Sequence, residues 1–185
     1  MSRFKDKFGE QQIKDFLKSQ EKELRANDLL KVYHHLETTK AVFLTQFFLD
    51  HGVDPLKYLS IVPSQYAYGL QKYYDKKIIL PNNIEAIDLF SFGQTLAEEV
   101  YIPHKVYFIR EHAFESMPNL ERLYIDGCPT VDKDAFFGCF ELKDIRINCT
   151  EEEWYKQNPD FDMKKVNWPL VFRHASVYAN IKFEK

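Results

Sequence analysis

The segment VYFIREHAFESMPNLERLYI (106–125) is followed, two residues on, by CPTVDKDAFFGCFELKDIRI (128–147), and the two superpose at an offset of 22. Ala113-Phe114 falls on Ala135-Phe136, while Leu120, Leu123 and Ile125 fall on Leu142, Ile145 and Ile147. Upstream, Ser91-Phe92 stands the same 22 residues before Ala113-Phe114, and Ile84 and Ile87 stand before Val106 and Ile109. The first unit is one residue shorter after its Phe, which sets Val100 and Ile102 against Leu123 and Ile125. Half a unit earlier, Ile78-Ile79-Leu80-Pro81 matches Val100-Tyr101-Ile102-Pro103. So many apolar coincidences at one spacing define an internal repeat. A unit of this length cannot bury its apolar face alone and must stack on its neighbours.

Working outward, each unit should supply a short strand whose side chains alternate between core and surface. Ile78, Leu80, Val100, Ile102, Leu123, Ile125, Ile145 and Ile147 take the inward positions, and Phe92, Phe114 and Phe136 form a buried aromatic ladder across the core. The outward positions then make a stripe of Ile79, Tyr101, Tyr124 and Arg146, beside a row of alternating sign, Lys77, Glu99, Arg122 and Asp144. Tyr and Arg are enriched at the energetic centres of protein interfaces, so this stripe is the candidate partner-binding surface. The competing structural explanation is that it simply covers a sheet with β-formers and cross-strand ion pairs.

About three units cannot protect their own ends, so the flanks must cap them. Upstream of residue 70 the apolar period is helical. Ile13, Phe16, Leu17 and Leu24 share a face; Asn27 caps a second helix with Leu29, Leu30, Tyr33 and Leu36; Thr38 or Thr39 opens a third through Leu49, stopped by Gly52. Asp54-Pro55 starts a short fourth. Leu70, Tyr73 and Tyr74 should join this part to the repeats. Downstream, Thr150 caps the acidic turn Glu151-Glu152-Glu153 ahead of Trp154. The expected fold is therefore α+β, an N-terminal helical bundle capping a short repeat solenoid with a C-terminal cap. The boundaries are residues 1–70 for the helices, 71–148 for the repeats and 149–185 for the cap.

The consensus V-x-x-I-x-x-x-A-F-x-x-M/C-x-x-L-x-x-L/I-x-I, with Pro after some strands, resembles the BspA-like class of leucine-rich repeats over roughly residues 76–180. The closing CTEEEW (149–154) and HASVY (174–178) are similar to that family's terminal cap. The sequence departs from the pattern in having Ser91 where Ala is usual, and in lacking Gly before the Ala-Phe pair. The resemblance implies a solenoid that binds proteins. The layout of helices leading straight into repeats is also similar to proteins of tailed bacteriophages. That likeness implies a cytoplasmic viral protein that inhibits a host or defence protein, with a virion or assembly component as the alternative.

Composition agrees with a soluble globular chain: 185 residues, 45% hydrophobic, 29% charged and 16% aromatic. With 6 Gly, phosphate-cradling glycine loops are not expected, and a formal charge of −3 gives no global pull toward nucleic acid or anionic membrane. The N-terminus lacks a signal-like apolar run, and no stretch reaches the ~20 apolar residues of a spanning helix. Cys128, Cys139 and Cys149 are an odd set without C-x-x-C spacing, expected to be reduced thiols.

No catalytic motif occurs, and no metal or cofactor is expected. Adjacent His34 and His35 would point about 100° apart on a helix. Cys139 occupies a core position, and no convergent acid or base is evident for His104 or His112. The segment Thr45–Asp54 superficially resembles a helix-turn-helix, which would make a DNA-binding regulator the third functional class. However, Phe48 stands where that turn needs a small residue, and the following helix carries only Lys57 for readout. Residues 1–40 hold nine Lys/Arg against seven Asp/Glu, a mixed surface. The expectation is a non-catalytic binder of a protein partner.

Overall fold

The computed structural model describes residues 33–34, 38–50, 52–70, 76–132, 134–159 and 180–184. Its centre is a right-through stack of parallel strands in two sheets. Short strands β1 (Ile61–Val62), β3 (Ala86–Ile87), β5 (Phe108–Ile109) and β7 (Thr130–Val131) form one sheet in that order. Longer strands β2 (Lys77–Ile79), β4 (Glu99–Ile102), β6 (Arg122–Ile125), β8 (Asp144–Ile147) and β9 (Asn180–Phe183) form the other. One short strand, an aromatic turn and one long strand make each turn of the solenoid.

Among the described residues there are four such turns, where the repeat led to an expectation of about three. The additional one is the first: β1 pairs with β3 in the register Ile61 to Ala86, 25 positions apart, whereas β3 pairs with β5 at 22, Ala86 to Phe108. Its aromatic is Tyr66 rather than Phe. A changed spacing and a changed residue hide this turn from a fixed-period alignment. In space, Tyr66 nonetheless packs edge-on against Phe92 at 5.9 Å. Phe92 stacks on Phe114 at 5.4 Å and Phe114 on Phe136 at 5.1 Å, with ring planes 11° and 2° apart. All eight inward strand residues are buried as expected.

The small residue before each Phe lets successive turns approach closely. Phe92 N–H donates to Ala113 O and Phe114 N–H to Ala135 O, both at 2.8 Å. Ser91 fits the same slot because its buried hydroxyl donates to Asp88 O at 2.6 Å and lies 3.0 Å from Pro63 O. The position before the small residue is left-handed at Phe90 and His112, with φ 54° and 59°. This is the backbone reason for the glycine that the repeat pattern favours there.

The ends are closed by different devices. Asn158, at the end of helix α2 (Glu151–Gln157), accepts from Val131 N–H at 3.0 Å and donates to Pro129 O at 3.1 Å. One side chain thus replaces the next strand along the edge of β7. Thr150 and Glu153 form a reciprocal capping box, and Trp154 is fully buried beneath the last turn. Strand β9 covers the edge of β8, Asn180 opposite Asp144.

At the other end lies helix α1 (Thr38–Asp50), the predicted third helix. Ala41, Leu44, Thr45 and Phe48 are its buried face, and Tyr33 donates or accepts a hydrogen bond with Thr45 at 2.8 Å. Gly52 ends it at φ 75°; Val53 N–H reaches back to Phe48 O and Gly52 N–H to Leu49 O, so two open carbonyls of the last turn are satisfied. The predicted fourth helix is a single 3-10 turn, Pro55–Tyr58, capped by Asp54. Asn83 ties that turn to the solenoid by donating to Leu56 O and Leu59 O. The first predicted helix and the Asn27 start of the second lie outside the described residues, so of the predicted bundle only its third and fourth members are described in full; Tyr73, Tyr74 and the 174–178 part of the C-terminal cap also lie outside them.

Candidate functional site

Parallel pairing places the predicted stripe in register. Lys77, Glu99, Arg122 and Asp144 are opposite one another across β2, β4, β6 and β8, and so are Ile79, Tyr101, Tyr124 and Arg146. Strand alternation sends all eight outward because the residues between them fill the core. Ile79 is 68% exposed, and the two tyrosines are half-buried against each other.

Tyr101 and Tyr124 stack face to face, with ring centroids 4.4 Å apart and planes 5° apart. Cations bracket the pair. Lys77 Nζ lies 5.9 Å from the Tyr101 centroid, and the Arg146 guanidinium lies 5.4 Å from that of Tyr124. The four side chains form one continuous ridge across four strands.

Glu99 is the hub beneath that ridge. It accepts from Tyr101 Oη and from Arg122, each at 2.6 Å, and pairs with Lys77 Nζ at 3.1 Å. The Tyr101 hydroxyl is the largest influence holding its carboxyl down to about 2; Arg122 and then Lys77 add to it, against a desolvation that works the other way. The same bond pushes the Tyr101 hydroxyl up to about 12. Arg122 is held above its ordinary value by Glu99, and Arg146 by Asp144, which it contacts at 3.2 Å. Lys76–Glu98 and Lys143–Glu121 add ion pairs along one border. Charges of both signs alternate over the face, so it presents no continuous basic stripe.

At the far end of the ridge a shallow cleft of about 260 Å³ opens between Tyr124, Ile125, Asp126, Arg146, Asn148 and Glu184. Arg146, which lines this cleft, has its Nε buried without a hydrogen-bond partner among the described residues, as does the Asp144 Oδ1 on the same strand.

The other sequence candidates do not assemble. His34 is exposed, and His35 lies outside the described residues. His104 sits 3.8 Å from Asp126 on an exposed turn. Cys139 is fully buried, its thiol pushed up to about 12 by that burial, and it donates to Phe114 O. Phe48 is buried in the core, and Lys57 is exposed on a single 3-10 turn rather than on a projecting helix.

His112 differs from the sequence expectation, because acids do converge on it. Glu115 lies 3.1 Å from Nδ1 and Glu111 3.8 Å from Nε2, while ligand atoms of Glu111, His112 and Asp134 lie within 4.8 Å of one another. An ion with bonds of about 2.1 Å needs a tighter shell than that. The ring also stacks on Phe90 at 5.1 Å, extending a second aromatic row from Tyr68 to Phe137. The 22-residue offset of Phe90 and His112 was the available signal for this row.

A family described as BspA type leucine rich repeat region (6 copies) matches residues 65–158. The chain belongs to this BspA-type leucine-rich repeat family. No curated protein and no solved structure shows a significant match. Leucine-rich repeat domains generally mediate protein interactions and are typically non-enzymatic. Nothing in the comparisons bears on a bacteriophage relationship. Among the described residues, no helix is long and apolar enough to cross a membrane.

Proposed function

We propose that this BspA-type repeat protein is a non-catalytic protein-binding module that uses the outward face of β2, β4, β6 and β8. The observation carrying this is the Tyr101–Tyr124 stack bracketed by Lys77 and Arg146. A ridge held by parallel backbone pairing below and by Glu99 within loses little side-chain entropy on docking. Tyr and Arg at the centre of a rigid surface are also the residue types that dominate interface energetics. A face of this kind acts by covering the surface it binds. Inhibition of a host or defence protein, the expectation from sequence, would operate by that occlusion.

The test is the Tyr101→Ala/Tyr124→Ala double variant. Both side chains project from the sheet, so the double variant should stay folded, with thermal unfolding lowered modestly because Glu99 loses the Tyr101 hydroxyl. Partner binding, measured by titration calorimetry after affinity capture, should weaken by more than ~2 kcal/mol, about 30-fold. Equal affinity for parent and double variant would remove the face from the binding surface.

A further inference from the structure

We propose that a second copy of this chain docks on the strand face, strand face to strand face, about a two-fold axis parallel to the strands and midway between β4 and β6. The inference rests on that face being the binding surface and names its partner.

The order of the charges carries it. Along the ladder they run Lys77, Glu99, Arg122, Asp144. A two-fold along the strands reverses the ladder of the facing copy without changing the level of each row. Lys77 then meets Asp144 of the other copy at each end, while Arg122 comes to the level of Glu99, which is itself buried and held by Tyr101, Arg122 and Lys77, so the two outer Lys77–Asp144 pairs carry the contact. In the neighbouring row Tyr101 meets Tyr124, and Ile79 meets the apolar stem of Arg146. An isologous interface requires this kind of self-complementarity.

Neighbouring alignments lack it. Moving the axis onto β6 sets Arg122 on Arg122 and Glu99 on Asp144, and moving it onto β4 sets Glu99 on Glu99. Like charges directly opposed are costly. Turning the axis along the ladder instead sets Glu99 on Tyr101, and of the four row charges only Asp144 meets an opposite one. The two ends of the row also have spare capacity. Glu99 has three side-chain partners, whereas Lys77 and Asp144 have one ion-pair partner each.

The four strands that overlap in this alignment, spaced ~4.8 Å apart with β9 lying beyond β8, make a small contact, below the ~800 Å² per partner of a stable complex. Association should therefore be reversible and in the micromolar range.

Sedimentation equilibrium on the purified chain, taken up to about 1 mM, tests this. The informative variants are Lys77→Glu, and Lys77→Glu combined with Asp144→Lys. Within one chain the two changes are independent insults, since Lys77 sits beside Glu99 and Asp144 beside Arg146. Across the proposed interface they compensate. The expected result is a parent dimer, weakened at least tenfold by Lys77→Glu and restored to within about threefold by the double swap. Circular dichroism melts confirm that all three are folded.

A parent that remains monomeric, a dimer indifferent to Lys77→Glu, or a double swap weaker than the single variant would each overturn the proposal. Loss of capture of a different protein in the Tyr101→Ala/Tyr124→Ala variant would still sustain the binding face if the parent were monomeric. The two conclusions therefore fail separately.

Discussion

Replacing Phe114 by Ala removes the middle ring of the aromatic ladder. Phe114 is fully buried, with Phe92 and Phe136 stacked on its two faces at 5.4 and 5.1 Å. Losing the ring gives up roughly 130 Å² of apolar burial, about 3 kcal/mol at ~25 cal/mol per Å². Each of the two stacked contacts is worth about 0.5–1.5 kcal/mol more, and the neighbours are too constrained to close the gap. The turn above and the turn below are both fixed by backbone bonds, Phe92 N–H to Ala113 O and Phe114 N–H to Ala135 O. The expected loss is therefore at the upper end of the usual range, ~4–5 kcal/mol.

Urea unfolding followed by far-UV circular dichroism would show a lower midpoint at an unchanged slope. The control is Phe140→Ala, because Phe140 is 70% exposed on the fourth turn. It should fall within about 0.5 kcal/mol of the parent. A Phe114→Ala loss below ~1.5 kcal/mol, or similar losses for both, would refute the ladder as the centre of the core.

Glu99→Gln should make acid unfolding less steep. The folded-state carboxyl is held near 2 against an ordinary 4.5, so its stabilisation is present above pH 4.5 and lost as pH falls toward 2. Near the surface, where solvent screens the pairs, that is about 1–2 kcal/mol; parallel pH titrations of unfolding free energy would check it, and identical profiles would count against it. Asn158→Ala strips the β7 edge of its acceptor for Val131 N–H and its donor to Pro129 O. A loss of about 2–3 kcal/mol in thermal or urea unfolding is expected, and a neutral result would mean the edge is closed otherwise. Cys139 should resist a thiol reagent in the folded protein and react on unfolding, because burial raises its thiol to about 12. Mass mapping of labelled cysteines reads this directly, and native labelling at Cys139 would contradict the packed turn.

The strand face was legible in the sequence because two periods coincide there. A period of 22 identifies which residues stack, and a period of 2 identifies which point outward, so Tyr101, Tyr124 and their neighbours followed from spacing alone. The first turn was not legible. Tyr66 replaces Phe, and a 25-residue step breaks the period, while the pairing of Ile61 with Ala86 shows that the backbone still stacks. A strand ladder tolerates insertions between strands so long as its own hydrogen bonds are kept, whereas a sequence alignment at fixed offset does not.

His112 shows a different kind of concealment. Glu111 and Glu115 were beside it in sequence, but Asp134 reaches it only because one solenoid turn sits directly on the next. Asn158 acts on Val131 and Pro129 across more than 25 residues, a capping role that no local pattern announces.

By itself, the sequence determined the repeat, its two faces and the identity of the core, because these depend on periodic burial and nothing else. Only the tertiary structure decided how many turns there are, that Glu99 rather than a tyrosine is the electrostatic centre of the face, and which side chains close the open edges. Those outcomes depend on distances between turns, and such distances are set when strands of different turns meet, after every local preference has been satisfied.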